Sequence, residues 1–105
     1  MAPNLTLSTG RSSSTEREAA AFLVTGRVQG VGFRAWTASR ARFFGITGWV
    51  RNTSDGSVEL HAEGDASALA AFQSELEQGP PLSRVNAIIR HPATFRGHTR
   101  FNIVH

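Results

Sequence analysis

Four segments of the chain have the pattern of β-strands, chiefly because apolar and polar residues alternate along them with a period of two. The segments are Ala21–Val28, Ile46–Asn52, Val58–Glu63 and Val85–Arg90. In the last of these, the alternation places Val85, Ala87 and Ile89 on the buried face. A short final strand is predicted over Phe101–Val104.

Two other segments have apolar residues at helical spacing. The first runs from Phe33 to Phe44 and is followed by Gly45, a residue type that commonly ends helices. The second follows Asp65, a plausible N-cap, and stops before Gly79-Pro80-Pro81. Its apolar stripe consists of Leu69, Phe72 and Leu76. The element order β-α-β-β-α-β plus a final strand predicts an α+β fold of the ferredoxin-like, split βαββαβ type. We expect an antiparallel sheet with two helices on one face and a short C-terminal strand.

The length of 105 residues predicts one domain. Residues 1–18 are rich in serine and threonine and are predicted to be a flexible N-terminal extension, so the single domain covers residues 19–105. Ordered sequence is expected from about Ala20. A secretory signal and an apolar run of the ~20 residues needed to span a bilayer are both missing. We therefore predict a cytoplasmic protein without a membrane partner, and nothing demands more than a monomer.

The composition excludes several kinds of chemistry. The absence of cysteine excludes disulfides, cysteine-ligated metals and thiol catalysis. All 11 basic residues are arginines, and a formal net charge of +3 favours small anionic partners. His61, His91, His98 and His105 form no HxH or HxxxH pair and have no acidic cluster beside them in the sequence. They are interpreted as solvated surface histidines, and no metal site is predicted.

The segment Gly26–Arg34, with the sequence GRVQGVGFR, is the most informative one for function. A strand leads into a glycine-rich turn that opens directly into a helix, and the N–H groups of such a turn can converge on an anion. Gly30 and Gly32 permit a positive φ, and Arg34 lies in the first helical turn, where its guanidinium can close over the same anion. The alternative is a tight turn with a solvent-exposed arginine. The P-loop and dinucleotide patterns are absent, and so is an acidic pair spaced to hold magnesium.

A second candidate is Asn52, the last residue of GWVRN. An uncharged amide offers both a donor and an acceptor and can hold a water molecule by two hydrogen bonds. The commoner role of an asparagine at a strand end is to start a turn.

The two segments at this spacing, followed by DGSVE and by GPPLSRV, resemble the acylphosphatase family from about Phe22 to Ile103. The resemblance implies a hydrolase that cleaves the carboxyl–phosphate bond of acyl phosphates without a metal or cofactor, with inorganic phosphate as product and inhibitor. It implies that Arg34 and the loop amides bind the phosphate and that Asn52 orients the attacking water. The implied phosphate-binding residues are Gln29, Gly30, Val31, Gly32, Phe33 and Arg34.

Two other functions are compatible with the same fold. An RNA-recognition module would need aromatic residues displayed on its central strands. The first strand offers only Phe22, in core phase, and the third strand offers none, so no nucleic-acid partner is expected. A domain of a larger enzyme that binds carbamoyl or acyl phosphate is the second alternative, and the pairing of Arg34 with Asn52 argues for hydrolysis instead.

Overall fold

Five strands and two helices make up the fold of residues 16–105, the part of the chain that the computed structural model describes. The strands are β1 (Arg17–Arg27), β2 (Thr47–Asn52), β3 (Val58–Asp65), β4 (Arg84–Pro92) and β5 (Phe101–Ile103). The helices are α1 (Phe33–Phe43), between β1 and β2, and α2 (Ala66–Gln78), between β3 and β4. The predicted order of elements is confirmed.

The strands form one sheet in the order β4-β1-β3-β2-β5. All neighbours are antiparallel except β2 and β5, which are parallel and pair Gly48 with Phe101 and Val50 with Ile103. The ferredoxin-like fold is confirmed, and the predicted short C-terminal strand joins the antiparallel sheet at this edge in parallel with β2. After β4, at one edge of the sheet, the chain reverses its direction and crosses to the opposite edge. There it forms β5, which therefore runs parallel to β2.

The core lies between the sheet and the two helices. The predicted stripe of α2 is confirmed, since Leu69, Phe72 and Leu76 are fully buried. The ring of Phe72 meets Phe22 of β1 and Phe101 of β5 edge to face, with centroids 6.4 Å apart in both pairs. Aromatic contacts of this geometry add to the stabilisation that burial provides, and they connect α2 to both sides of the sheet.

The first strand begins earlier than its apolar pattern indicated. Arg17 and Glu18, which the sequence assigned to the extension, pair with Asp65 and Gly64 of β3. The Arg17 guanidinium also donates hydrogen bonds to the Thr47 hydroxyl and to the Glu63 carbonyl, both at 3.0 Å. Strand pairing uses backbone groups, so exposed polar residues can extend a strand without a hydrophobic signal. The rest of the predicted extension, residues 1–15, lies outside the described residues.

The predicted buried face of β4 is wrong beyond its first residue. Thr25 of β1 pairs with Ala87 and Gly26 with Val85, so Asn86 is an extra residue that forms a β-bulge. Val85 and Ile88 contact the core, whereas Ala87 and Ile89 are exposed. The bulge shifts the inward-facing positions by one residue, and strict alternation could not show this.

Within the described residues, neither helix is long and apolar enough to cross a membrane.

Candidate active site

An open pocket of about 260 Å³ lies where the start of α1, the end of β2 and the residues after β5 meet. Five predicted site residues line it, namely Gly30, Gly32, Phe33, Arg34 and Asn52. The remaining lining residues are Val28, Ala35, Ile103 and His105. The structure thus brings the glycine-rich loop and the strand-end asparagine to one place, although they are far apart in the sequence.

The loop before α1 takes its shape from two glycines. Gly30 has φ 74° and Gly32 has φ 78°, a left-handed conformation that residues with a side chain rarely adopt. A Cβ at either position would meet no atom within 4 Å, so the backbone conformation, not space, favours glycine here. Gly32 is also the N-cap of α1 and has no side chain to satisfy the first helical N–H groups. These donors and the positive end of the helix dipole favour an anion at this position.

Arg34 lies in the first turn of α1 and is half-buried at the pocket wall. Its guanidinium makes no hydrogen bond to any side chain or carbonyl of residues 16–105. By contrast, the helix's other arginines are engaged: Arg40 pairs with Glu75, and Arg42 donates to the Phe101 carbonyl at 2.9 Å. The planar guanidinium of Arg34 is therefore available for a bidentate contact with a phosphate.

Asn52 is half-buried at the end of β2, and its Oδ1 atom is fully buried. This oxygen has no hydrogen-bond partner among the described residues. A buried acceptor left unpaired costs roughly 1–3 kcal/mol, so such groups normally meet a donor from water or a ligand. Asn52 and Arg34 line the same pocket, and the Asn52 side chain carries this unsatisfied acceptor.

Gln29 and Val31 do not line this pocket, although the resemblance placed both in the phosphate loop. The side-chain amide of Gln29 instead donates to the carbonyls of Thr53 at 2.8 Å and Ser57 at 2.7 Å. Only the backbone of these two residues could belong to a phosphate cradle. The Gln29 side chain holds the loop against the turn that follows Asn52.

That turn is itself closed by several hydrogen bonds. The Thr53 N–H donates to the Ser57 carbonyl at 2.9 Å, and the Asp55 carboxylate accepts from the Thr53 hydroxyl and from the Ser57 N–H. These hydrogen bonds, that of the Thr53 hydroxyl first, lower the pKa of Asp55. The turn fixes the end of β2 that carries Asn52.

Sequence reasoning missed four lining residues, and two of them, Ile103 and His105, come from the distant end of the chain. Ile103 pairs with Val50, and the Val104 N–H donates to the Val50 carbonyl at 2.9 Å. Continuing this register by two residues places His105 beside Asn52. Alternation alone predicts that Ile103 and His105 share a face, but only the pairing with β2 brings them to the pocket.

On the other face of the sheet, the prediction of solvated surface histidines is wrong for His61. His61 is 8% exposed, and its Nε2 lies 2.8 Å from Oε2 of Glu63, which is completely buried. Burial acts to raise the pKa of Glu63, but hydrogen bonds from His61 and from the Arg96 and His98 N–H groups together lower it. The segment 93–100 folds over β3 and buries these residues, a long-range contact with no local sequence signal.

Comparison with known proteins shows which family this chain resembles. The sequence model of the Acylphosphatase family matches residues 20–103. An acylphosphatase of Methylococcus capsulatus is 48% identical over 83 residues, which cover 78% of this chain and 90% of that protein. The acylphosphatase of Bacillus subtilis superposes with a TM-score of 0.82 at 40% identity, covering 86% of this chain and 100% of that one. HypF of T. kodakarensis matches at a TM-score of 0.75 and 30% identity, covering 84% of this chain but 12% of that one.

Proposed function

The chain belongs to the acylphosphatase family and is an acyl phosphate hydrolase, and from this premise we propose how its residues perform the reaction. Arg34 and the N–H groups of the Gln29–Phe33 loop bind the phosphate. Asn52 orients the water that attacks phosphorus. No metal ion or organic cofactor takes part.

The observation that carries this proposal is that Asn52, whose Oδ1 has no partner among the described residues, lines the same pocket as Arg34. When the amide turns toward the pocket, its oxygen can take a hydrogen bond from water and leave a lone pair of the water oxygen directed at phosphorus. Asn52 cannot act as a general base, because its amide does not usefully accept a proton. It contributes by orienting the water, an effect that removes much of the entropic barrier to attack.

The phosphate is held by charge and by backbone donors. The guanidinium of Arg34 offers two parallel N–H groups to two phosphate oxygens, and the uncapped start of α1 offers more donors. Phosphoryl transfer is accelerated mainly by positioning and by stabilising the charge that spreads over the transferred group. Arg34 and the loop supply both effects with fixed groups.

The reaction balances with these groups alone. The water oxygen forms a bond to phosphorus while the bond between phosphorus and the acyl oxygen breaks, and the carboxylate leaves with the electron pair. The products are a carboxylate and inorganic phosphate, and the water's proton goes to the phosphate or to solvent. A carboxylate is a good leaving group, so the step needs no strong general acid. Inorganic phosphate fits the same cradle and is expected to inhibit competitively.

Oligomeric state, location and partners stay predictions from the sequence. We predict a monomeric, cytoplasmic enzyme that needs no nucleic acid. Phe22, the one aromatic residue of β1, is buried in the core. It is therefore not displayed on the sheet surface, where an RNA base would have to stack. The open face of β2 does present Trp49, which stacks on His61 with centroids 6.1 Å apart and an interplanar angle of 16°.

The direct test is hydrolysis of benzoyl phosphate by the purified protein, with a phosphate monoester such as p-nitrophenyl phosphate as the control substrate. We expect turnover of the acyl phosphate only, and unchanged turnover after prolonged treatment with EDTA. Loss of activity on EDTA treatment, restored by Zn²⁺ or Mg²⁺, would contradict the metal-free mechanism. Binding of benzoyl phosphate without turnover would instead indicate a binding domain.

A further inference from the structure

The face of the sheet opposite the helices carries a second group of chemically active side chains. His61 and Glu63 lie on β3 and alternate with Leu60 and Ala62, which face the core. They therefore lie on the opposite side of the sheet from the pocket of Arg34 and Asn52. The segment 93–100, between β4 and β5, covers them.

Glu63 fixes this covering segment. Its carboxylate accepts the Arg96 N–H at 2.6 Å on Oε2 and the His98 N–H at 2.8 Å on Oε1. Both donors are backbone groups, so they hold the segment whatever side chains it carries. The His98 side chain is consequently delivered to the position above β3.

His61, Glu63 and His98 each direct one possible ligand atom into a common space. The three atoms all lie within 4.8 Å of one another. The pair His61 Nε2 and Glu63 Oε2 is already 2.8 Å apart, and the rings of His61 and His98 have centroids 5.2 Å apart. Glu63 is fully buried, His61 is nearly so and His98 is half-buried. Trp49 stacks against His61 and limits the movement of its ring.

We propose that His61, Glu63 and His98 bind one divalent transition-metal ion, with Zn²⁺ the best match. Two imidazole nitrogens and one carboxylate oxygen are a ligand set that Zn²⁺ accepts, with a water molecule as the fourth ligand. With metal–ligand distances of about 2.0–2.2 Å, tetrahedral ligand atoms are about 3.4 Å apart. The His61–Glu63 pair must open by about half an ångström, and the His98 ring must move inward by side-chain rotation while its backbone N–H stays bonded to Glu63.

The ion would replace the proton that His61 and Glu63 share and would join β3 to the segment 93–100. The guanidinium of Arg17, bonded to the Glu63 carbonyl at 3.0 Å, is a nearby positive charge that opposes the ion and limits its affinity. Because β5 follows this segment and leads to Ile103 and His105, the ion would act as a structural clamp on one wall of the phosphate pocket. It would not enter the reaction.

The test is titration of the metal-stripped full chain with Zn²⁺ by calorimetry, and with Co²⁺ as a probe whose visible absorption reports four-coordinate binding. The informative variant is His98→Gln, which removes one proposed ligand. The fold should be retained, because the hydrogen bond from residue 98 to Glu63 comes from the backbone N–H. The matched control is His91→Gln. His91 on β4 and His61 on β3 both pair with Ala21 of β1, which lies between them. His91 is exposed and lies two strand spacings, about 10 Å, from His61.

We expect one Zn²⁺ per chain, at least tenfold weaker binding in His98→Gln, and unchanged binding in His91→Gln. Saturating Zn²⁺ should raise the Tm of the parent chain by about 5 °C or more, with no such rise in His98→Gln. The rate of acyl phosphate hydrolysis should be the same with and without the ion. The proposal is wrong if the parent chain binds no stoichiometric Zn²⁺, or if the two histidine variants lose affinity equally. Neither result bears on whether the chain hydrolyses acyl phosphates.

Discussion

The side-chain amide of Gln29 donates a hydrogen bond to the carbonyl of Thr53 at 2.8 Å. This contact joins the glycine-rich loop to the residue immediately after Asn52, and a second hydrogen bond from the same nitrogen reaches Ser57 at 2.7 Å. The two parts of the proposed catalytic site are thereby held together by a side chain that does not line the pocket. We infer that Gln29 positions the loop relative to Asn52.

Replacing Gln29 with alanine should therefore reduce both stability and turnover. Two carbonyls lose a donor, which should lower the free energy of unfolding by about 1–3 kcal/mol. Because Asn52 and the loop are then less well aligned, kcat should fall by about tenfold. Urea unfolding and steady-state kinetics measure both effects. Gln78→Ala, at the exposed end of α2, is the control and should change neither quantity.

Glu63 should make the stability depend on pH. Its pKa in the folded protein lies below its ordinary value of 4.5, so its hydrogen bonds stabilise the fold above that pH. This stabilisation is lost as the pH falls through the lower, folded pKa. Glu63→Gln should lower the free energy of unfolding by about 2–4 kcal/mol at pH 7. The side-chain NH2 group of the glutamine would face a backbone N–H, and neither group can accept a hydrogen bond from the other.

The difference in stability between the parent chain and Glu63→Gln should shrink as the pH falls below 4.5. Urea unfolding at pH 7, 5 and 3 follows this difference. Glu77→Gln, on the exposed face of α2, is the matched control, and its stability should follow that of the parent chain. A difference that stays constant over this range would show that the ionisation of Glu63 is not the source of the effect.

His105→Glu should weaken inhibition by inorganic phosphate. The register of β5 against β2 places residue 105 beside Asn52, so a carboxylate there repels the phosphate. At about 7 Å and an effective dielectric constant of about 40, this repulsion is about 1 kcal/mol, close to a tenfold increase in the inhibition constant. The control is His91→Glu, the same charge change at the other edge of the sheet. Equal effects of the two variants would mean that only net charge matters.

Local pattern was enough to predict the elements and the two motifs. The stripe Leu69, Phe72 and Leu76 and the end of α1 before Gly45 depend on neighbours in the sequence, and the structure confirms both. The departures come from interactions between distant segments. The bulge at Asn86 depends on pairing with β1, and the parallel pairing of β5 depends on where the chain crosses the sheet.

In the candidate site, too, local motifs could be predicted from the sequence, whereas contacts between distant segments could not. Gly30, Gly32, Arg34 and Asn52 could be named because each belongs to a motif with a local physical meaning. The contact of the Gln29 side chain with the turn could not be read from the sequence, because it joins residues separated by two secondary-structure elements. The position of His105 and the burial of His61 and Glu63 likewise require the packed sheet.

We propose that Arg34 binds the phosphate and that Asn52 binds the attacking water, and these two roles can be measured separately. An anion ligand should affect the inhibition constant of phosphate, whereas a water-orienting group should affect kcat alone. Arg51→Ala is a suitable control, since Arg51 adjoins Asn52 in sequence but pairs with Glu59 at 2.7 Å on the opposite face. It should leave both quantities close to those of the parent chain.

The most direct measurement is kcat together with the phosphate inhibition constant for Arg34→Ala and Asn52→Ala. We expect Asn52→Ala to lower kcat on the order of 10²–10³-fold while binding phosphate with nearly unchanged affinity. Arg34→Ala should lower kcat and weaken phosphate inhibition together, and Arg34→Lys should restore neither fully because it lacks the planar fork. If Asn52→Ala loses phosphate binding as severely as Arg34→Ala, Asn52 is an anion ligand; if both variants stay fully active, the proposed site is wrong.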